Sequence, residues 1–103
     1  MIYKVIISNH ATLQLDNIIR YVLQKLENKR AAQEIMAGIE SAFRKLERHA
    51  EVFALCDDQY LSDKGYRKYI LEKHNYVIIY KIENEEVLIA GIFHMKENYA
   101  DKL

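Results

Sequence analysis

The stretch from Gly65 to Leu103, GYRKYILEKHNYVIIYKIENEEVLIAGIFHMKENYADKL, constrains the fold of this chain more than any other. Three runs rich in β-branched and aromatic residues, Tyr66 to Glu72, Tyr76 to Ile82 and Glu86 to His94, are separated by two polar joints. The joints, Lys73-His74-Asn75 and Glu83-Asn84-Glu85, have room only for tight turns, and each carries an Asn suited to turn conformations. Strands joined so tightly must run antiparallel, as a meander. In the last two runs both alternating faces are largely apolar, with Ile78, Tyr80 and Ile82 on one and Val77 and Ile79 on the other. A sheet with one wet face alternates more cleanly, so something is expected to cover each face.

Upstream, Ile2 to Ile7 predicts a further strand, with Tyr3, Val5 and Ile7 on one face. Ser8 and Asn9 follow as candidate N-caps, able to accept from unpaired helical N–H groups. Ala11, Leu15, Ile18, Ile19, Val22 and Leu26 then recur at helical spacing, and after Glu27-Asn28-Lys29 the spacing resumes with Ala32, Ile35, Met36, Ile39, Phe43 and Leu46. The short break predicts an antiparallel helix hairpin, with both stripes read as core. From His49 to Lys64 periodicity fades, which predicts a connecting loop with a short ordered turn around Val52 to Leu55. The expected fold class is therefore α+β, in the order β-α-α-β-β-β, as a single domain over residues 1–103. One helix hairpin shields one side of the sheet. The other side is expected to hold apolar and aromatic groups with no partner in the chain, which makes it a binding surface.

Composition removes several classes of function. The single Cys56 leaves no internal disulfide framework and fits a reducing cytoplasm. No apolar run approaches the roughly 20 residues of a membrane span, and the first residues do not read as a signal peptide. His10, His49, His74 and His94 lack metal-like spacing, Gly38, Gly65 and Gly91 form no phosphate-cradling loop, and no cofactor is expected. Asp57 and Asp58 beside Cys56 oppose activation of its thiol. Formal net charge is zero, with 8 Lys/Arg against 5 Asp/Glu in residues 1–48 and 7 against 10 in residues 49–103. Broad nucleic-acid binding normally needs a basic excess, which is missing here.

The order of one strand, two amphipathic helices and a meander, closed by the His94-x-x-x-x-Tyr99 tail, resembles the RelE/ParE superfamily of small toxins from prokaryotic type II toxin–antitoxin pairs. The resemblance covers nearly the whole chain. It implies a cytoplasmic growth inhibitor neutralised by a cognate antitoxin, whose extended or helical C-terminal segment lies across the toxin in a heterotetramer or larger complex. Two targets follow from its two branches. Nuclease-branch toxins cleave mRNA on the translating ribosome without metal, whereas ParE-type toxins act on DNA gyrase and need no catalytic residues.

For the nuclease branch, the residues placed to carry the chemistry are His94 as proton carrier, Arg67 or Lys96 as phosphate-neutralising cation, and Tyr99 as donor or stacking group. Tyr69 lies two residues beyond Arg67 on the same strand face, and with Lys96 it is a candidate contact for target or antitoxin. Each has a structural alternative: His94 seating the tail, Arg67 pairing with an acid such as Glu72, Tyr99 anchoring the C-terminal segment. The chain also departs from the nuclease pattern, because Val77 stands where that branch carries arginine. Its tail, with Asn98-Tyr99 in place of Asp-Tyr, is closer to the ParE branch. The expectation is a ParE-like gyrase inhibitor, against the alternatives of a ribosome-dependent endoribonuclease or a non-toxic regulatory module of the same fold.

Overall fold

The structure, a computed structural model, describes residues 1–103. Strand β1 (Lys4–Ile7) leads into helices α1 (Asn9–Gln24) and α2 (Lys29–His49). A 3-10 turn (Ala50–Val52) and a short helix α3 (Gln59–Asp63) follow, then β2 (Arg67–Ile70), β3 (Tyr76–Glu83) and β4 (Glu86–His94), and a last 3-10 turn (Tyr99–Lys102). The four strands form one sheet in the order β1-β4-β3-β2, with β1 parallel to β4 and the other pairs antiparallel. This is the expected α+β meander with its helix hairpin, and β1 takes the outer place beside β4.

Local chemistry explains the boundaries. Ser8 caps α1, its Oγ accepting from the Ala11 N–H at 3.0 Å. Asn28 does the same for α2 through Ala31, and its neighbour Glu27 takes a positive φ that lets the chain reverse. In the meander His74, Asn75 and Asn84 adopt left-handed backbone, as their joints required. The turn after β4 is tied to the first joint, because the Met95 N–H donates to the Asn75 carbonyl at 2.7 Å.

Against one face the hairpin buries Ala11, Val22, Ile35, Ile39, Ala42 and Leu46 with Ile78, Tyr80, Val87, Ile89 and Ile92. The chain just past α2 would leave carbonyls unpaired here, and the sheet supplies donors. The buried Tyr80 hydroxyl donates to the Ala50 carbonyl at 2.6 Å. Arg67 Nη1 donates to the Phe53 carbonyl at 2.6 Å and the Glu51 carbonyl at 3.3 Å. Burial drives the Tyr80 phenol far above its ordinary pKa, so it stays neutral and remains a donor.

The second face differs from expectation. It is covered from within the chain, by Cys56, Leu61 of α3 and the C-terminal Tyr99 and Ala100 packing on Val77, Ile79 and Phe93. The segment read as a connecting loop therefore carries a helix. Asp58 caps it by accepting from the Leu61 N–H at 3.0 Å, and Gly65 ends it at φ +86°, a conformation side chains disfavour. Residues 54–56 also run along β2, with a bridge between Leu55 and Arg67 that shields part of this edge.

A bulge between Ile79 and Tyr80, where Ile79 faces Gly91 and Tyr80 faces Ile89, shifts the faces of β4 by one residue. Val87 and Ile89 then join Ile92 on the helical side, while Phe93 goes to the other. Beyond Ile7 the outer edge of β4 has no strand beside it, and α1 closes the gap. Gln14 Oε1 accepts from the Ile92 N–H at 2.9 Å, and the Ser8 N–H donates to the Ile89 carbonyl at 3.1 Å.

Candidate functional site

The residues proposed from sequence for phosphodiester chemistry occupy separate places. Arg67 points to the helical face, where its guanidinium holds the carbonyls that follow α2 and not an acid such as Glu72. Tyr69 is buried on the same face, edge-on to Phe53 at 4.9 Å and under the Lys45 ammonium at 5.9 Å. His94 sits opposite Tyr76 in the β3–β4 register, and their rings meet edge to face at 5.2 Å. Its Nδ1 accepts from the Lys96 N–H at 3.2 Å, while its own N–H donates to Glu97 Oε1 at 3.0 Å. In the neutral ring the proton therefore rests on Nε2. Lys96 is exposed on this turn.

Tyr99 lies on the other side of the sheet, its ring 5.7 Å from that of Phe93 and tilted by 31°. Burial raises the Tyr99 phenol above its ordinary pKa, with Cys56 adding to the effect. Arg67 is registered to Tyr80 and His94 to Tyr76, two strands and four positions apart, which is roughly 16 Å from strand spacing and rise. A cation, a proton carrier and a second donor must converge within hydrogen-bond reach of one phosphate. Arg67, His94 and Tyr99 do not converge in this structure. Val77 is 2% exposed beneath the second-face cover, and burial also pushes up the pKa of the Cys56 thiol beside it.

A different surface stands out. The outward groove between α1 and α2, with a volume near 410 Å³, is floored by Ile19, Leu23, Ala32, Met36 and Ala37. Leu23 is 43% exposed and Met36 37%, although Met36 belonged to a stripe read as core. Leu13 and Tyr21 of α1 are exposed as well, and Leu26, another member of a stripe expected to be core, lies past the end of α1 and is exposed too. Helical apolar positions beyond those a sheet can cover mark a surface for a partner. The signal was in the sequence, since Leu23 falls off the buried stripe on the side of Ile19 and widens the apolar face of α1 beyond what one sheet covers.

The fold has a solved counterpart. A structure described as the chromosomal ParDE TA system from P. aeruginosa is similar at a TM-score of 0.76, covering 92% of this chain and 98% of its own at 16% identity. At that identity the likeness is one of fold. No curated protein matches the chain by sequence. The family described as ParE toxin of type II toxin-antitoxin system, parDE, matches residues 5–99, and the chain belongs to it. It is thus the toxin of a type II toxin–antitoxin system, and its partner is an antitoxin.

Proposed function

We propose that this toxin inhibits DNA gyrase by binding and without catalysis, and that its antitoxin restrains it by laying an amphipathic helix in the α1–α2 groove. The observation that carries the first half is the separation of Arg67, His94 and Tyr99, together with an arginine that holds backbone carbonyls. The absence of a basic excess points the same way. The second half rests on the exposed apolar floor at Leu23 and Met36, the kind of lining that helix-in-groove recognition uses.

Purified toxin is tested in parallel on gyrase supercoiling and on mRNA bound to translating ribosomes. Inhibited supercoiling with intact mRNA is the expected result. Codon-positioned cleavage that disappears in His94→Ala and Arg67→Ala overturns the proposal in favour of a nuclease. Neither effect, with no growth arrest on expression, favours a module that has lost toxicity. For the groove, Leu23→Asp with Met36→Asp should leave toxicity in place and abolish rescue by the antitoxin.

A further inference from the structure

The floor of the α1–α2 groove is apolar, but its rim is charged in an ordered way. Asp16 and Glu40 line one end, Arg20 and Lys29 line the stretch toward the interhelix turn, and Gln24 and Gln33 complete that stretch. All four charged side chains are exposed. None of them takes part in an ion pair within the chain, although Asp16 and Arg20 have the i,i+4 spacing that permits one. Arg30, one residue past Lys29, is instead engaged with Glu34 away from the groove, at 3.8 Å. In an antiparallel hairpin that turns at residues 25–28, Asp16 and Glu40 fall at similar heights. The centre of the basic pair lies about 10 Å further along the groove, at 1.5 Å per residue.

We infer that these four rim charges select the antitoxin helix, admitting one that carries basic residues over Asp16 and Glu40 and acidic residues over Arg20 and Lys29. The inference rests on the groove being the antitoxin seat. The apolar floor rewards any amphipathic helix, so it cannot by itself tell one antitoxin from another. Charges on the rim can do so, because a uniformly charged helix places like charges side by side at two of these positions and one of reversed polarity does so at all four. A helix of about three turns spans both ends of the groove, so one short segment meets both signs. The four charges cancel, leaving a groove with a strong dipole and no net attraction for a uniformly charged partner.

Three synthetic helical peptides with the same apolar i, i+3, i+4, i+7 seam test this. One carries bases at one end and acids at the other, one is acidic at both ends, and one is basic at both. Their affinities are measured by fluorescence anisotropy on the purified toxin and on the Asp16→Lys/Glu40→Lys variant, whose fold is checked by circular dichroism. The bipolar peptide is expected to bind wild type about tenfold more tightly than either uniform one, the sum of several exposed pairs. In the variant the doubly acidic peptide should become the tightest, and both preferences should shrink at about 0.5 M salt. Equal binding of all three to wild type, or an unchanged order in the variant, overturns the rim assignment and leaves the groove as the seat. Failure of all three to bind overturns the groove and the rim together.

Discussion

Seventeen buried residues form one continuous core on the helical side of the sheet, and only five form the cluster on the other side. The first core is closed by two long helices whose apolar residues recur every turn. The second is closed by a five-residue helix, a buried cysteine and the last residues of the chain. The difference is one of rigidity under substitution. The helical cover is held at both ends and by the sheet, whereas α3 and the C-terminal turn are short and tethered at few points. A cavity on the helical side has nowhere to collapse; one on the other side can be filled by a small shift of the cover.

Truncating a fully buried leucine on each side tests that difference in rigidity most directly. Leu46→Ala, beneath α2, should cost about 2–5 kcal/mol in denaturant unfolding. Leu61→Ala, in α3, is equally buried and should fall near the low end of that range, at about 2 kcal/mol. Equal losses would show that the second cover is as rigid as the first.

Gly91 probes the junction between the two sides. A Cβ there would lie 2.3 Å from Phe93 Cε2, 2.8 Å from Cζ and 3.1 Å from Gln14 Oε1. The Phe93 ring lies over the glycine, and it can do so because no side chain intervenes. Gly91→Ala should destabilise by about 1–3 kcal/mol as the ring is displaced. In the Phe93→Leu background the same change should cost much less, and additive losses in this double-mutant cycle would refute the packing argument.

On the helical side, Tyr80→Phe keeps the ring and removes only the donor to Ala50. A buried carbonyl at the end of α2 then loses its partner, for an expected loss of about 1–2 kcal/mol. A neutral outcome would mean that water replaces the hydroxyl and that the α2 terminus is less enclosed than its burial indicates.

The two sides also differ in how far the sequence announced them. The order of elements along the chain, the helix hairpin and the Asn-bearing turns followed from periodicity and turn chemistry, because each element is long enough to show its period or short enough to demand a turn; the place of β1 beside β4 did not. Helix α3 escaped that reading. Five residues cannot display a helical period, and the Asp58 cap and Gly65 stop that mark it are common in loops too. The β4 bulge escaped as well, since a one-residue slip leaves composition unchanged and only the small Ala90-Gly91 pair hints at it. For the site, the sequence offered the right residue types at Arg67, His94 and Tyr99 but no statement of which sheet face each would take. That depended on the unseen bulge and on backbone carbonyls that only the folded chain brings to Arg67. The α1–α2 groove was partly legible in Leu23, whereas the exposure of Met36 depended on how the two helices cross.

The smallest expected effect lies where the meander meets α2, at the edge of the helical side. Glu34 accepts from His74 at 2.9 Å and Lys73 at 3.3 Å, tying the first turn of the meander to the helix, while Arg30 approaches to 3.8 Å. The His74 bond, then the Lys73 bond, hold the Glu34 carboxyl below its ordinary value of 4.5. A carboxyl whose pKa is depressed by folding stabilises the native state while it is ionised in both states, that is, above its unfolded value. The contribution fades as pH falls through the folded value. Glu34→Gln should therefore lower Tm by on the order of 1–3 °C at neutral pH, since exposed pairs are weak. The gap between variant and wild type should narrow once pH drops below 4.5 and close when the wild-type carboxyl is itself protonated. A gap that persists unchanged into acid would show that Glu34 acts through packing against the His74 turn and not through its charge.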